Sequence, residues 1–177
     1  LPPALDGLIL GGGFPEVFAE ELSQNKTMRR AIAQHIANGL PTYAECGGLM
    51  YLCQTLVDFE GRAWPMAGTL PATTTMTGKL TLGYRQVTAQ HQTSLVIPGQ
   101  VFWGHEFHRS AIAPASHQPL YAATSYPLPN SPARPLPDEG WSCHNLHASY
   151  VHTHWGTQTD LPRRFLDHCL HQPRVSH

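Results

Sequence analysis

Charge of either sign is scarce in this chain, and neither sign prevails. Eleven Lys and Arg stand against twelve Asp and Glu in 177 residues, a formal charge of -1. Without a field of one sign, neither nucleic acid nor an anionic membrane surface is recommended as a partner. Long apolar runs are missing too, since nothing approaches the roughly 20 consecutive apolar residues that a membrane span requires. Cysteine is sparse, at positions 46, 53, 143 and 169. No secretory signal opens the chain and the spacing is not that of a small disulfide scaffold, so reduced thiols in a cytoplasm are the expectation. No G-x-x-x-x-G-K-[ST] stretch occurs, and ATP is therefore not expected to bind to these residues alone. What remains is a globular composition, 41% hydrophobic and 13% charged, of a length suited to one domain with a sizeable core and to small-molecule chemistry.

Residues 5–10 (LDGLIL) form a largely apolar run closed by Gly11, Gly12 and Gly13, as a buried strand ending in a tight loop would. Two helical segments are predicted next. EVFAEELSQN and TMRRAIAQHIANG space Val17, Phe18 and Leu22, then Met28, Ala31, Ile32 and Ile36, on helical faces, with Gly39 placed to end the second. A short apolar strand over residues 40–44 then turns into a helix predicted over 49–56. Strand, helix and strand in that order point to a mostly parallel sheet covered by helices. From Met66 the texture changes. Thr-rich and alternating stretches (73–90 and 94–112) predict antiparallel strands extending that sheet. Residues 126–140 hold five prolines and read as an exposed loop without chemistry. One more strand (146–151), a loop (152–156) and a closing helix (161–170) finish the chain.

Residues 43–48, Tyr-Ala-Glu-Cys-Gly-Gly, place a cysteine on the turn between a strand and a helix. Glycines follow where a sharp turn leaves no room for a side chain. Such an elbow holds the sulfur clear of the backbone, sets it at a helix N-terminus that favours a thiolate, and aims a backbone N–H, that of Gly47, at a substrate carbonyl. Without those glycines, a small buried core residue would be the default reading of Cys46. A thiolate attacking an amide also needs further oxyanion donors and a base. The Gly11–Gly12–Gly13 loop, at the end of an earlier parallel strand, offers N–H groups beside the elbow. Twelve histidines compete for the base. His152 and His154, alternate residues at the end of the last strand, are equally placed by periodicity. Cys143, His144, His147, His152 and His154 crowd into twelve residues, yet their spacing fits no familiar zinc pattern, and no metal is assigned. His105 and His108, among Phe102, Trp103 and Phe107, read as packing residues.

Together, the elbow YAECGGLMYL, the earlier GGGFPE, Gly83–Tyr84–Arg85, the GHEFH segment at 104–108 and the closing ASYVHTHW resemble the C-terminal class I glutamine amidotransferase domain of the cobyrinic acid a,c-diamide synthase family. Nearly the whole chain takes part. The branch also includes cobyric acid synthase, an alternative parent for this domain, and a peptidoglycan-precursor amidase. The resemblance implies an α/β, flavodoxin-like fold: a mostly parallel sheet flanked by helices, with an antiparallel extension. It implies glutamine hydrolysis at Cys46 through a thioester, with ammonia passed to an ATP- and Mg2+-dependent amidoligase domain acting on cobyrinic or hydrogenobyrinic acid. The family's catalytic histidine follows a Tyr-x-His pattern, and Tyr150–Val151–His152 reproduces it, which selects His152.

Where the wider class has a glutamate two residues after that histidine, this chain has His154. The orienting partner is left open between a plain dyad, His154 and Glu106, and Arg85 is a candidate for a substrate carboxylate. Gly12, Gly13 and Gly47 are the candidate oxyanion donors. Without a start methionine, a P-loop or the opening strands of the family, residues 1–177 are expected to be one glutaminase domain of a longer synthase. A non-catalytic amidotransferase-like scaffold is the competing expectation.

Overall fold

The computed structural model describes residues 1–2, 4–143 and 145–171. Its organising element is a short parallel sheet. Strands β1 (Leu8–Leu10) and β10 (Leu146–Ser149) flank β2 (Thr42–Glu45), both parallel to it, and β9 (Trp141–Cys143) closes the far edge antiparallel to β10. Leu10 and Ala148 both stand opposite Ala44. The register therefore brings three chain segments out at one edge: the Gly11–Gly13 loop, Cys46, and the stretch that leads to His152. That is the carboxyl edge, where parallel sheets collect their functional loops.

β2 and β10 are buried along nearly their whole length, as strands covered on both faces must be. Alternation divides their side chains between two cores. Ala44, Leu146 and Ala148 pack with Ile32 and Ile36 of α2 (Lys26–Ala37) and with Leu49 and Leu52 of α3 (Gly47–Leu52). Tyr43 and Val151 pack instead with Leu161, Phe165 and Cys169 of α4 (Asp160–His171). A short α1 (Ala19–Gln24) precedes α2. Between them Asn25 accepts the Met28 N–H at 3.1 Å, a side-chain cap for α2, and Gly39 at φ 90° ends α2 where the sequence placed its stop.

The antiparallel extension expected beyond Met66 is a seven-stranded sheet, larger than the parallel core it extends. β5 (Leu70–Ala89) and β6 (Val101–Ala113) pair along most of their length. β3 (Cys53–Val57) and β4 (Ala63–Pro65) lie on one side of that pair, β11 (His152–Thr153) on the other, and β7 (Tyr121–Ser125) and β8 (Pro135–Glu139) branch from β5.

Three local expectations are corrected. The helix predicted to reach residue 56 stops at Leu52, because Cys53 turns extended (ψ 165°) and Thr55 and Val57, β-branched residues suited to a pleated surface, pair with β5 and β4. The segment after Val151, expected as a loop, opens with β11, which hydrogen-bonds antiparallel to β6 with His152 opposite His105. The proline-rich stretch contains β8, which pairs with β7 alone, an edge position at which proline's missing N–H costs no ladder bond. Among the described residues no helix is long and apolar enough to cross a membrane.

Candidate active site

Cys46 is the one non-glycine residue with positive φ among the described residues, at φ 48° and ψ -105°. Such a conformation costs on the order of 1–3 kcal/mol and persists only where its surroundings enforce it. Here the Cys46 N–H donates to Ser149 O at 2.8 Å, and Cys46 O accepts from Met50 N–H at 3.0 Å. One bond ties the elbow to β10 and the other to the first turn of α3. The glycines that follow are required by space. A Cβ on Gly47 would lie 2.7 Å from Gly13 O, and one on Gly48 would collide with Leu10 O. Cys46 is left 5% exposed, with its sulfur 3.6 Å from Phe107 O.

The glycine loop lies beside the elbow, as expected, and also against His152. Gly13 backs onto Gly47, and a Cβ on Gly12 would sit 2.5 Å from Cε1 of His152. Gly12 is thus glycine so that the imidazole can approach. β11 holds that imidazole in place. Its Nδ1 lies 3.1 Å from Oε1 of Glu45, which leaves Nε2 as the ring nitrogen available to the Cys46 thiol. Bonding to Cys46 first and to Glu45 second raises the His152 pKa to about 10 against the opposing pull of burial. The imidazolium form is therefore favoured at neutral pH.

Glu45, the residue before Cys46, is the carboxylate against His152 Nδ1, a partner that the sequence left open. Burial works to raise its carboxyl, but hydrogen bonds from His152 and from Tyr43 hold it below the usual carboxylate range. The Tyr43 hydroxyl donates to Oε2 at 2.6 Å, and burial followed by the Glu45 charge pushes its phenol well upward, so it stays a donor. Tyr43 and Glu45 share a strand face because they are two residues apart, and that alternation was the available signal for the pair. His105 stacks on His152 with ring centroids 4.8 Å apart and planes at 14°.

The other candidates are placed elsewhere. Arg85 donates to Glu106 at 2.6 Å, an ion pair whose two side chains are 12% and 13% exposed. Neither has a recorded contact with His152. His154 is exposed beyond β11. His147, a member of the possible metal cluster, is a core residue: Nδ1 meets Thr93 at 3.0 Å, Nε2 meets the Tyr121 hydroxyl at 2.8 Å, and burial lowers its pKa to about 3. Among the described residues no group of three His, Cys, Asp or Glu could hold a metal ion, and His144 lies outside those residues. Cys53 is buried, with its thiol pushed up to about 12 by that burial. A cavity of about 290 Å3 opens over Cys46, lined by Gly13, Glu16, Met50, Phe107 and Arg109 among others.

Residues 1–159 match the family model described as the CobB/CobQ-like glutamine amidotransferase domain. A cobyrinate a,c-diamide synthase from a Synechococcus strain is 50% identical over 99% of this chain, and a hydrogenobyrinate a,c-diamide synthase from Streptomyces coelicolor is 41% identical over 96%. The chain spans 38% and 32% of those relatives' lengths. Among solved structures, a glutamine amidotransferase covers 93% of this chain and 79% of its own at TM-score 0.56 and 18% identity. Another, from Thermotoga maritima, covers 91% and 63% at TM-score 0.51 and 14% identity. At such identities the two structures speak for the fold, which is the α/β arrangement expected. The family match over residues 1–159 and the identity to the two synthases agree: this chain belongs to the CobB/CobQ-like glutamine amidotransferase domain family.

Proposed function

We propose that the chain hydrolyses the side-chain amide of glutamine with Cys46 as nucleophile, His152 as its acid and base, and Glu45 as the anion that orients the imidazole. The observation that carries this reading is the convergence at one sheet edge of the strained Cys46 elbow, the Gly12–Gly13 loop packed against it, and a His152 imidazole held by Glu45 at 3.1 Å.

The Cys46 sulfur attacks the amide carbon, and the carbonyl oxygen gathers negative charge toward the N–H groups of Gly47 and of the Gly12–Gly13 loop. As the C–N bond breaks, His152 gives its proton to the departing nitrogen, releasing ammonia and leaving a γ-glutamyl thioester. The now neutral His152 takes a proton from water, and the hydroxide adds to the thioester carbon. Glutamate leaves as the thiolate is restored beside the imidazolium. Glu45 keeps its charge throughout and holds Nδ1–H.

In this reading the ammonia passes to the amidoligase part of a longer, cytoplasmic protein. There the a- and c-carboxylates of cobyrinic or hydrogenobyrinic acid are amidated at the expense of ATP with Mg2+, as a step of cobalamin biosynthesis. These residues do not fit ATP themselves. The glycine loop is filled by His152 and the elbow rather than open as a phosphate cradle, and it leads into a four-residue 3-10 turn, Pro15–Phe18. The test is labelling with a diazoketone analogue of glutamine followed by peptide mapping. The expected adduct sits on Cys46 and is absent from C46S. An adduct on exposed Cys143 in place of Cys46 would sink the reading.

A further inference from the structure

The cavity that holds the reacting sulfur also carries one acid and one strong base that the reaction does not use. Glu16 projects from the 3-10 turn Pro15–Phe18 and lines the cavity together with Cys46. Burial raises its carboxyl above the usual range, offset in part by its own backbone N–H. Among the described residues no cation or side-chain donor is recorded on it. Arg109, from β6, lines the same cavity and makes one recorded donation, to Gly78 O at 3.2 Å. The neighbouring walls, Met50, Phe59, Met76, Leu80 and Phe107, are apolar. A half-desolvated carboxylate and a guanidinium with donors to spare, set in such walls, complement a small zwitterion.

We propose that Glu16 binds the α-ammonium and Arg109 the α-carboxylate of the amino acid whose side-chain amide meets Cys46. This assignment rests on the amidase reading above and adds to it the residues that distinguish a free α-amino acid from any other primary amide. The thiol and the two charges line one cavity of about 290 Å3. A purely local role for Glu16, as an acid in the first turn of its short helix, would make no distinction between substrates. The two readings therefore separate on substrate chemistry rather than on stability.

The experiment compares L-glutamine, 4-carbamoylbutanoate (the same amide without the α-amino group) and 4-aminobutanamide (without the carboxylate). Each is tested on the intact protein and on its E16Q and R109Q variants, with ammonia release as the readout. Preference ratios are taken within one preparation, so a fraction of unfolded protein cancels. The intact protein should favour L-glutamine over both analogues by about 100-fold in kcat/KM. E16Q should shrink the preference over 4-carbamoylbutanoate by at least about tenfold, through KM with kcat nearly held, and R109Q should do the same for 4-aminobutanamide. Undiminished ratios in variants of a protein that hydrolyses L-glutamine would overturn the Glu16 and Arg109 assignment and leave the amidase reading standing. Failure to release ammonia from any of the three, with Cys46 unlabelled by the diazoketone, would overturn both.

Discussion

Replacing Glu45 with Gln isolates the charge on the orienting group. The amide is nearly isosteric and can still accept the His152 Nδ1–H, while its NH2 can meet the Tyr43 oxygen. Geometry is thus retained and the anion is lost. In the native site the carboxylate lies 3.1 Å from His152 Nδ1 and accepts a hydrogen bond from the Tyr43 hydroxyl at 2.6 Å, with the Glu45 and His152 side chains each 20% exposed. Screening by solvent is therefore modest. A hydrogen bond to a charged group contributes about 1.5–3 kcal/mol and a neutral one about 0.5–1.5, so the substitution removes about 1–2 kcal/mol from the imidazolium form.

That loss predicts a fall of about 5- to 30-fold in kcat and a downward shift of about one pH unit in the alkaline limb of kcat/KM, which reports the free enzyme and is expected near 10 in the native protein. The sign follows from His152 gaining partners. Its folded pKa lies above the ordinary 6.5, so its contribution to stability is complete below pH 6.5 and disappears as pH rises through about 10. Glu45, held low, contributes above its ordinary 4.5 and loses that contribution as the solution is acidified through its folded value. Steady-state ammonia release from L-glutamine between about pH 5 and 10.5 reads both effects. The reasoning is refuted if E45Q keeps its kcat within about twofold and its alkaline limb in place, above all if E106Q then suffers the larger loss.

The neighbouring parts give further expectations. Tyr43→Phe removes one of the donors that keep the Glu45 carboxyl low, and should lower kcat by a few-fold with the acid limb moved to higher pH, read from the same profile. Gly12→Ala drives a methyl into Cε1 of His152; it should cost more activity than thermal stability, checked by kcat and Tm on one sample. Glu139 has its carboxyl enclosed beneath β10, accepting from Ser149 Oγ at 2.5 Å and from the Tyr150 N–H at 3.1 Å, and burial raises its pKa to about 7. Its folded value exceeds its unfolded one, so its contribution is complete below pH 4.5 and is lost as pH rises through 7. Glu139→Gln should therefore flatten the decline of Tm between about pH 4.5 and 8, measured by thermal melts across that range.

The core of the site was legible because its signals are local. Cys46 with two glycines behind it, and Gly11–Gly13 closing an apolar run, each state a backbone requirement that the structure meets at one sheet edge. Glu45 was overlooked because its partner is 107 residues away. A carboxylate beside the nucleophile in sequence suggests nothing about a histidine brought in by another strand. β11 was missed for a related reason: two residues carry almost no periodicity, and only the pairing with β6 makes them a strand. Proline density hid β8, whose Glu139 ties down the backbone just before His152. Arg85 and Glu106, candidates for a substrate carboxylate and for the orienting group, pair with each other across β5 and β6, a long-range contact the sequence does not announce.

Hydrolysis by the proposed route requires a covalent thioester between Cys46 and the γ-carbonyl of glutamine. Acid quenching during turnover, followed by mass spectrometry of the intact protein and its peptides, tests it most directly. A γ-glutamyl adduct on the peptide carrying Cys46, absent in C46S and diminished in H152A, is the predicted result. Ammonia release that continues in C46S, with no adduct at position 46, would contradict it.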